Sequence, residues 1–92
     1  MVLFNMNSKH KKTIELVFRN PIQTNILWTE IEGLFAALGA ELSEGSGSRV
    51  RIKLNGTRAV FHRPHPKKNT DKGAVNSVRR FLENAGVHND GI

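Results

Sequence analysis

The sequence predicts a small α+β fold ordered helix–strand–strand–strand–helix, a three-stranded antiparallel sheet with both helices on one face. Three observations predict it. Apolar residues recur at helical spacing from about Thr24 to Leu38, and again from about Asp71 to Ala85. Between these stretches the run SRVRIKLNGTRAVFH alternates apolar and mostly basic residues on either side of Asn55-Gly56. Such alternation marks strands with one dry and one wet face, and Asn-Gly tolerates the positive φ that a two-residue hairpin turn requires.

Each element can be justified in turn. Residues 1–23 read as an N-terminal extension, in which Ser8 to Phe18 can form a short helix with Ile14, Val17 and Phe18 on one face. Pro21 separates it from the main domain, expected over 24–88. There Leu27, Ile31, Leu34, Phe35 and Leu38 form the stripe of the next helix. Thr24 or Asn25 is its expected cap, Gly39 suits its end, and Trp28 is expected at the margin of the stripe. A short strand, Ala40 to Glu44, and the loop Gly45-Ser46-Gly47-Ser48 lead into the hairpin. His65 to Thr70 form a basic, proline-containing connection. The last helix, Asp71 to Ala85, turns Val75, Val78, Leu82 and Ala85 inward. Gly86 stops it and Val87 folds back over its end. Residues 89–92 read as a tail.

Composition narrows the function. Ninety-two residues with 38% apolar content suffice for one modest core. The absence of cysteine excludes disulfides and thiolate zinc sites and fits a reducing compartment. The apolar start MVLF is too short to span a membrane and lacks a cleavage site, so a cytoplasmic location is the expectation, with no membrane partner. Net charge is +6, and it is unevenly placed. From Arg49 to Arg80 there are ten basic residues and a single acid, Asp71, whereas Glu30, Glu32, Glu41 and Glu44 precede that block. A block so one-sided is the footprint of a polyanion partner, although a solvated face that aids solubility would have the same composition.

The hairpin register sharpens the choice. A two-residue loop pairs Leu54 with Thr57, Lys53 with Arg58, Ile52 with Ala59, Arg51 with Val60, Val50 with Phe61, and Arg49 with His62. Val50, Ile52, Leu54, Ala59 and Phe61 then share the core side, while Arg49, Arg51, Lys53, Arg58 and His62 share the open side. Like charges placed opposite each other are unfavourable by a few tenths of a kcal/mol or more, so stability alone does not select this stripe. An anionic ligand offsets that cost and points to nucleic acid. No aromatic residue falls clearly on the open side, so contacts with the phosphate backbone should dominate.

The order of these features resembles a known family. A short helix, an acidic strand, Gly47-Ser48 before a strand, a hairpin, the segment Pro64-His65-Pro66 and a closing helix ending in Ala-Gly-Val are similar to the HicA-type toxins. The resemblance covers about Asn25 to Val87 and includes Lys72-Gly73-Ala74-Val75 leading to Val78, Arg79 and Leu82. It implies a double-stranded-RNA-binding-domain-like fold and a small ribonuclease, an mRNA interferase held by a HicB-type antitoxin. The family's usual motif is Gly-Ser-His, with the histidine catalytic; here the third position is Arg49. Pro64 and His65 match the family's Pro-His element, which belongs to the framework of the fold.

Cleavage of RNA without a metal needs a base for the 2′-OH proton, cations for the phosphorane and an acid for the leaving oxygen. No carboxylate cluster resembles a two-metal site, so neither a metal nor another cofactor is expected. Histidine suits the proton steps and arginine the charge step. The catalytic candidates are therefore His62 and Arg49, which the register places side by side. The candidates for RNA contact are Arg49, Arg51, Lys53, Arg58, Arg63, Lys67 and Lys68. A structural role in its turn is expected for His65, and none for His10 or His88. The alternative is a catalytically silent RNA-binding module on the same scaffold.

Overall fold

The computed structural model describes residues 7–88, ordered α1 (Ser8–Phe18), α2 (Trp28–Ala37), β1 (Glu41–Glu44), β2 (Arg49–Leu54), β3 (Thr57–His62) and α3 (Lys72–Asn84). The proposed tail, 89–92, and the first six residues lie outside the described residues. The expected α-β-β-β-α order is present, with α1 preceding it. Among the described residues no helix is long and apolar enough to cross a membrane.

Local chemistry sets the helix ends. Asn7 caps α1, its side-chain oxygen accepting the His10 amide N–H at 2.9 Å, and Asp71 caps α3 in the same way through Ala74 at 2.8 Å. Both α2 and α3 close with a glycine at positive φ, Gly39 at 88° and Gly86 at 84°. The following amide reaches back in each case, Ala40 to the Phe35 carbonyl at 3.0 Å and Val87 to Leu82 at 2.8 Å. The orphan carbonyls of both last turns are thereby satisfied.

The start of α2 corrects the sequence reading. Neither Thr24 nor Asn25 caps it; Leu27 occupies the N-cap position, with no side-chain hydrogen bond. The reason is a long-range pairing that periodicity does not report. Leu27 bridges Asn69, the Trp28 amide donates to Lys68 O at 3.0 Å, and the Thr70 amide donates to Ile26 O at 2.9 Å. This clasp keeps residues 26–27 extended and delays the helix. It also exchanges the two side chains at its start: Leu27 is 38% exposed, whereas Trp28, expected at the margin, is 4% exposed and inside the core.

The sheet has the order β1-β2-β3, antiparallel throughout. Asn55 at φ 51° and Gly56 at φ 79° form the hairpin turn, and all six β2–β3 pairs follow the expected register from Leu54–Thr57 to Arg49–His62. Asn55 Nδ2 donates to the Ala85 carbonyl at 2.8 Å, which ties the hairpin tip to the end of α3. Val50, Ile52, Leu54 and Phe61 are buried, with Ala59 packed beside them. Phe61 sits at the centre of the aromatic packing, its ring centroid 5.6 Å from Trp28, 5.8 Å from Phe35 and 5.9 Å from Phe81.

Helix α1 rests on α2 and α3 and adds Ile14 and Val17 to the same core. Two side chains seat it. The His10 ring packs against Gly33, where an added Cβ would lie 3.3 Å from it. Arg79 on α3 donates to the carbonyls of Val17 and Arg19 at 2.9 and 2.8 Å and to Asn20 Oδ1 at 3.2 Å. One cation thus serves the carbonyl-rich end of α1, where a positive charge is also favoured by the helix dipole.

Candidate nucleic-acid interface

With the helices on one side, the opposite face of the sheet is left open. Its side chains follow from strand parity. β2 contributes Arg49, Arg51 and Lys53, and β3 contributes Arg58, Val60 and His62, all exposed. β1 adds Ser43 opposite Arg51 and Glu41 opposite Lys53. Lys53 faces Arg58 directly and Arg49 faces His62, so the β2–β3 pairing sets cationic side chains against each other, while on the β1 side Lys53 has Glu41 as its register partner. Arg51 is anchored: its Nη1 donates to the Glu44 carbonyl at 3.0 Å, which draws the guanidinium toward β1. A depression of about 470 Å³ lies in this face, lined by Glu41, Ser43, Arg51, Lys53, Arg58 and Val60 together with Leu42, Ile52 and Ala59.

Arg49 and His62, as register partners, have Cβ atoms about 4.5–5.5 Å apart, within reach of one phosphodiester. The loop before Arg49 is fixed by its own backbone. The Gly45 amide donates to Arg49 O at 2.9 Å, and Gly47 takes a positive φ of 64°. An added Cβ at Gly45 would lie 3.0 Å from Arg49 Cβ, so glycine there permits the close turn that delivers Arg49 to the strand.

The other sequence candidates separate from this stripe. Arg63, one residue past β3, has the parity of the core side and lies between α2 and β1. Its Nε and Nη2 donate to Glu32 at 2.6 and 3.2 Å, and its Nη1 and Nη2 donate to Glu44 at 2.6 and 2.9 Å. The two carboxylates raise the already high pKa of its guanidinium. In return, the hydrogen bonds from Arg63 hold Glu44 below the ordinary glutamate range. Trp28 Nε1 also donates to Glu32, so a polar chain runs from the core tryptophan to the strand ends. Lys67 and Lys68 are exposed on the connection to α3, where Lys67 lines a separate hollow with Thr24, Asn69 and Lys72. His65 and His88 are exposed, outside the stripe.

Sequence reasoning did not single out three participants of the open face: Glu41, Ser43 and Val60. The signal for Val60 was present, because its parity is that of Arg58 and His62. Glu41 and Ser43 needed the β1–β2 register, which no tight turn fixes in advance.

A short α+β scaffold whose one bare sheet face carries four guanidinium or ammonium groups and an imidazole defines a small protein built around a cationic surface. The family model described as HicA toxin of bacterial toxin–antitoxin systems matches residues 28–87. The chain belongs to the HicA toxin family, and a toxin role and an antitoxin partner follow from that membership. No curated protein and no solved structure matches it.

Proposed function

We propose that this toxin is a cytoplasmic mRNA interferase that lays RNA across the open sheet face and cleaves it without a metal. A HicB-type antitoxin would hold it by covering that face. The observation that carries the reading is the cross-strand pair Arg49–His62 within a cationic stripe that forms no ion pair among the described residues. The His62 imidazole takes the proton of a ribose 2′-OH. The freed oxygen attacks the adjacent phosphorus, and the Arg49 guanidinium holds the equatorial oxygens as charge accumulates. The 5′-oxygen leaves with a proton taken from solvent water, giving a 2′,3′-cyclic phosphate and a free 5′-OH, and the His62 imidazolium returns its proton to solvent. Arg51, Lys53 and Arg58 bind the flanking phosphates, with Lys67 and Lys68 meeting the strand farther along; Arg63, expected from sequence to join them, is instead engaged by Glu32 and Glu44.

One observation favours a second reading, a silent RNA-binding member of the family: Arg49 stands where the family motif has histidine. A single-turnover assay on a long unstructured RNA, with chelator present, separates the two. In the first reading His62→Ala lowers cleavage by about 10²–10⁴-fold with binding almost unchanged, and Arg49→Ala lowers both. A wild type that is inactive beside an active Arg49→His variant establishes the silent module. Cleavage by His62→Ala at the wild-type rate removes His62 from the mechanism.

A further inference from the structure

The open face contains two side chains that phosphate binding does not explain. Val60 is 55% exposed at the middle of β3, with Arg51 as its register partner and Arg58 and His62 on either side of it along the strand. Glu41 is an acid on a cationic face. Among the described residues it forms no ion pair, although Lys53 is its register partner. A carboxylate there repels phosphate, and an exposed valine gives phosphate nothing. Both line the same depression, whose size falls in the ~300–1,000 Å³ range of small-ligand sites.

We propose that this depression seats one unstacked nucleobase of single-stranded RNA, and that Glu41 selects a base bearing an exocyclic amino group over uracil. The inference rests on the RNA-binding reading above and adds to it the class of strand and the residue that reads it. Val60 supplies an apolar floor. Arg51, with Nη1 held by the Glu44 carbonyl, presents its guanidinium as a side wall on which a base plane can lie. The cations of the rim take the phosphates on either side of the seated base. Glu41 accepts an N–H from the base edge, as carboxylates do from the amino group of cytosine. Uracil instead presents two carbonyl oxygens around its single N–H, and these a carboxylate repels. A base held in a duplex cannot enter, so paired RNA is left with the rim alone.

The test is fluorescence anisotropy at fixed salt with four probes of equal phosphate count: oligocytidine, oligouridine, a base-free ribose-phosphate spacer strand and an RNA duplex. Oligocytidine is compared with oligouridine because the two bases are pyrimidines of the same size that differ on the edge Glu41 would read, an amino group in one and a carbonyl in the other. The expected result is binding of oligocytidine about tenfold tighter than oligouridine, with the spacer strand and the duplex weaker still. Glu41→Ala should bring cytidine and uridine probes to equal affinity. If Glu41 acted only as a charge, the same variant would tighten every probe alike and leave the ratio intact, and the proposal would fall. Val60→Ser, at an exposed position, should weaken oligocytidine severalfold while leaving the spacer strand unchanged. Equal binding of all four probes overturns the base seat but leaves the RNA-binding reading standing. Binding of none of them overturns both.

Discussion

Arg63 divides one guanidinium between two carboxylates of different exposure, Glu32 at 21% and Glu44 at 71% for the side chain. The more buried partner matters more, because loss of Arg63 would leave the Glu32 carboxylate poorly solvated, whereas Glu44 remains open to water. Glu32→Gln should therefore lower the urea midpoint more than Glu44→Gln. The pH dependence has a definite sign. Glu44 titrates below its ordinary value in the folded protein, so its contribution to stability is complete above the unfolded-state pKa. It is lost as pH falls through the lowered folded value, while Arg63 stays charged throughout. Urea midpoints of wild type and Glu44→Gln should differ at neutral pH and converge in strong acid. A difference that persisted there would assign the effect to packing rather than charge.

At the level of the hairpin, two demands oppose each other. The turn at Asn55-Gly56 and the buried Val50, Ile52 and Phe61 favour this register, while Lys53 opposite Arg58 strains it. Like charges directly across a sheet cost on the order of 0.2–1 kcal/mol. Arg58→Glu replaces that repulsion with an attractive pair and should raise stability by roughly that amount, read as a higher thermal midpoint. The same substitution removes a cation from the open face and adds an anion, so RNA affinity should fall. Changes of opposite sign in the two measurements mark the stripe as a binding surface retained against stability. A fall in both would place Arg58 in the fold's framework.

For the whole molecule, the asymmetry of the sheet governs how a polyanion is met. One face holds the core, α2, α3 and the α1 helix clamped by Arg79; the other holds Arg49, Arg51, Lys53 and Arg58 with no acid in ion-pair contact among the described residues. If each of these cations displaces one counterion from a single strand, log K falls with log salt at a slope of about −3. Between about 50 and 200 mM salt, affinity for RNA should drop roughly fiftyfold. Lys53→Ala should make the slope shallower by about 0.7 and weaken all RNA sequences alike, and Arg51→Ala should flatten the slope similarly while also weakening the contact with the seated base. An affinity insensitive to salt over this range would exclude the stripe. An antitoxin that neutralises the toxin by occlusion must bury this same face, so a complex leaving Arg49, Arg51 and His62 open to solvent would refute inhibition by masking.

What the sequence determined by itself was whatever depends on short-range rules. Asn55-Gly56 specifies a two-residue turn; a two-residue turn specifies register; register assigns every hairpin side chain to a face, and so brings Arg49 beside His62. The ends of α2 and α3 at Gly39 and Gly86 were legible for the same reason, since a positive φ selects glycine locally. Tertiary structure decided whatever depends on partners distant in the chain. The clasp between residues 26–28 and 68–70 delayed α2, turned Leu27 outward and sent Trp28 into the core. Arg63 and Arg79 belong to the same basic block as Arg51, but Glu32, Glu44 and the carbonyl end of α1 occupy them, and each of those partners lies 19 or more residues away. Charge counted along a sequence does not distinguish a cation held by the fold from one left for a ligand. That distinction is made by geometry, because a guanidinium interacts with the oxygen it can reach, whatever its separation in the chain.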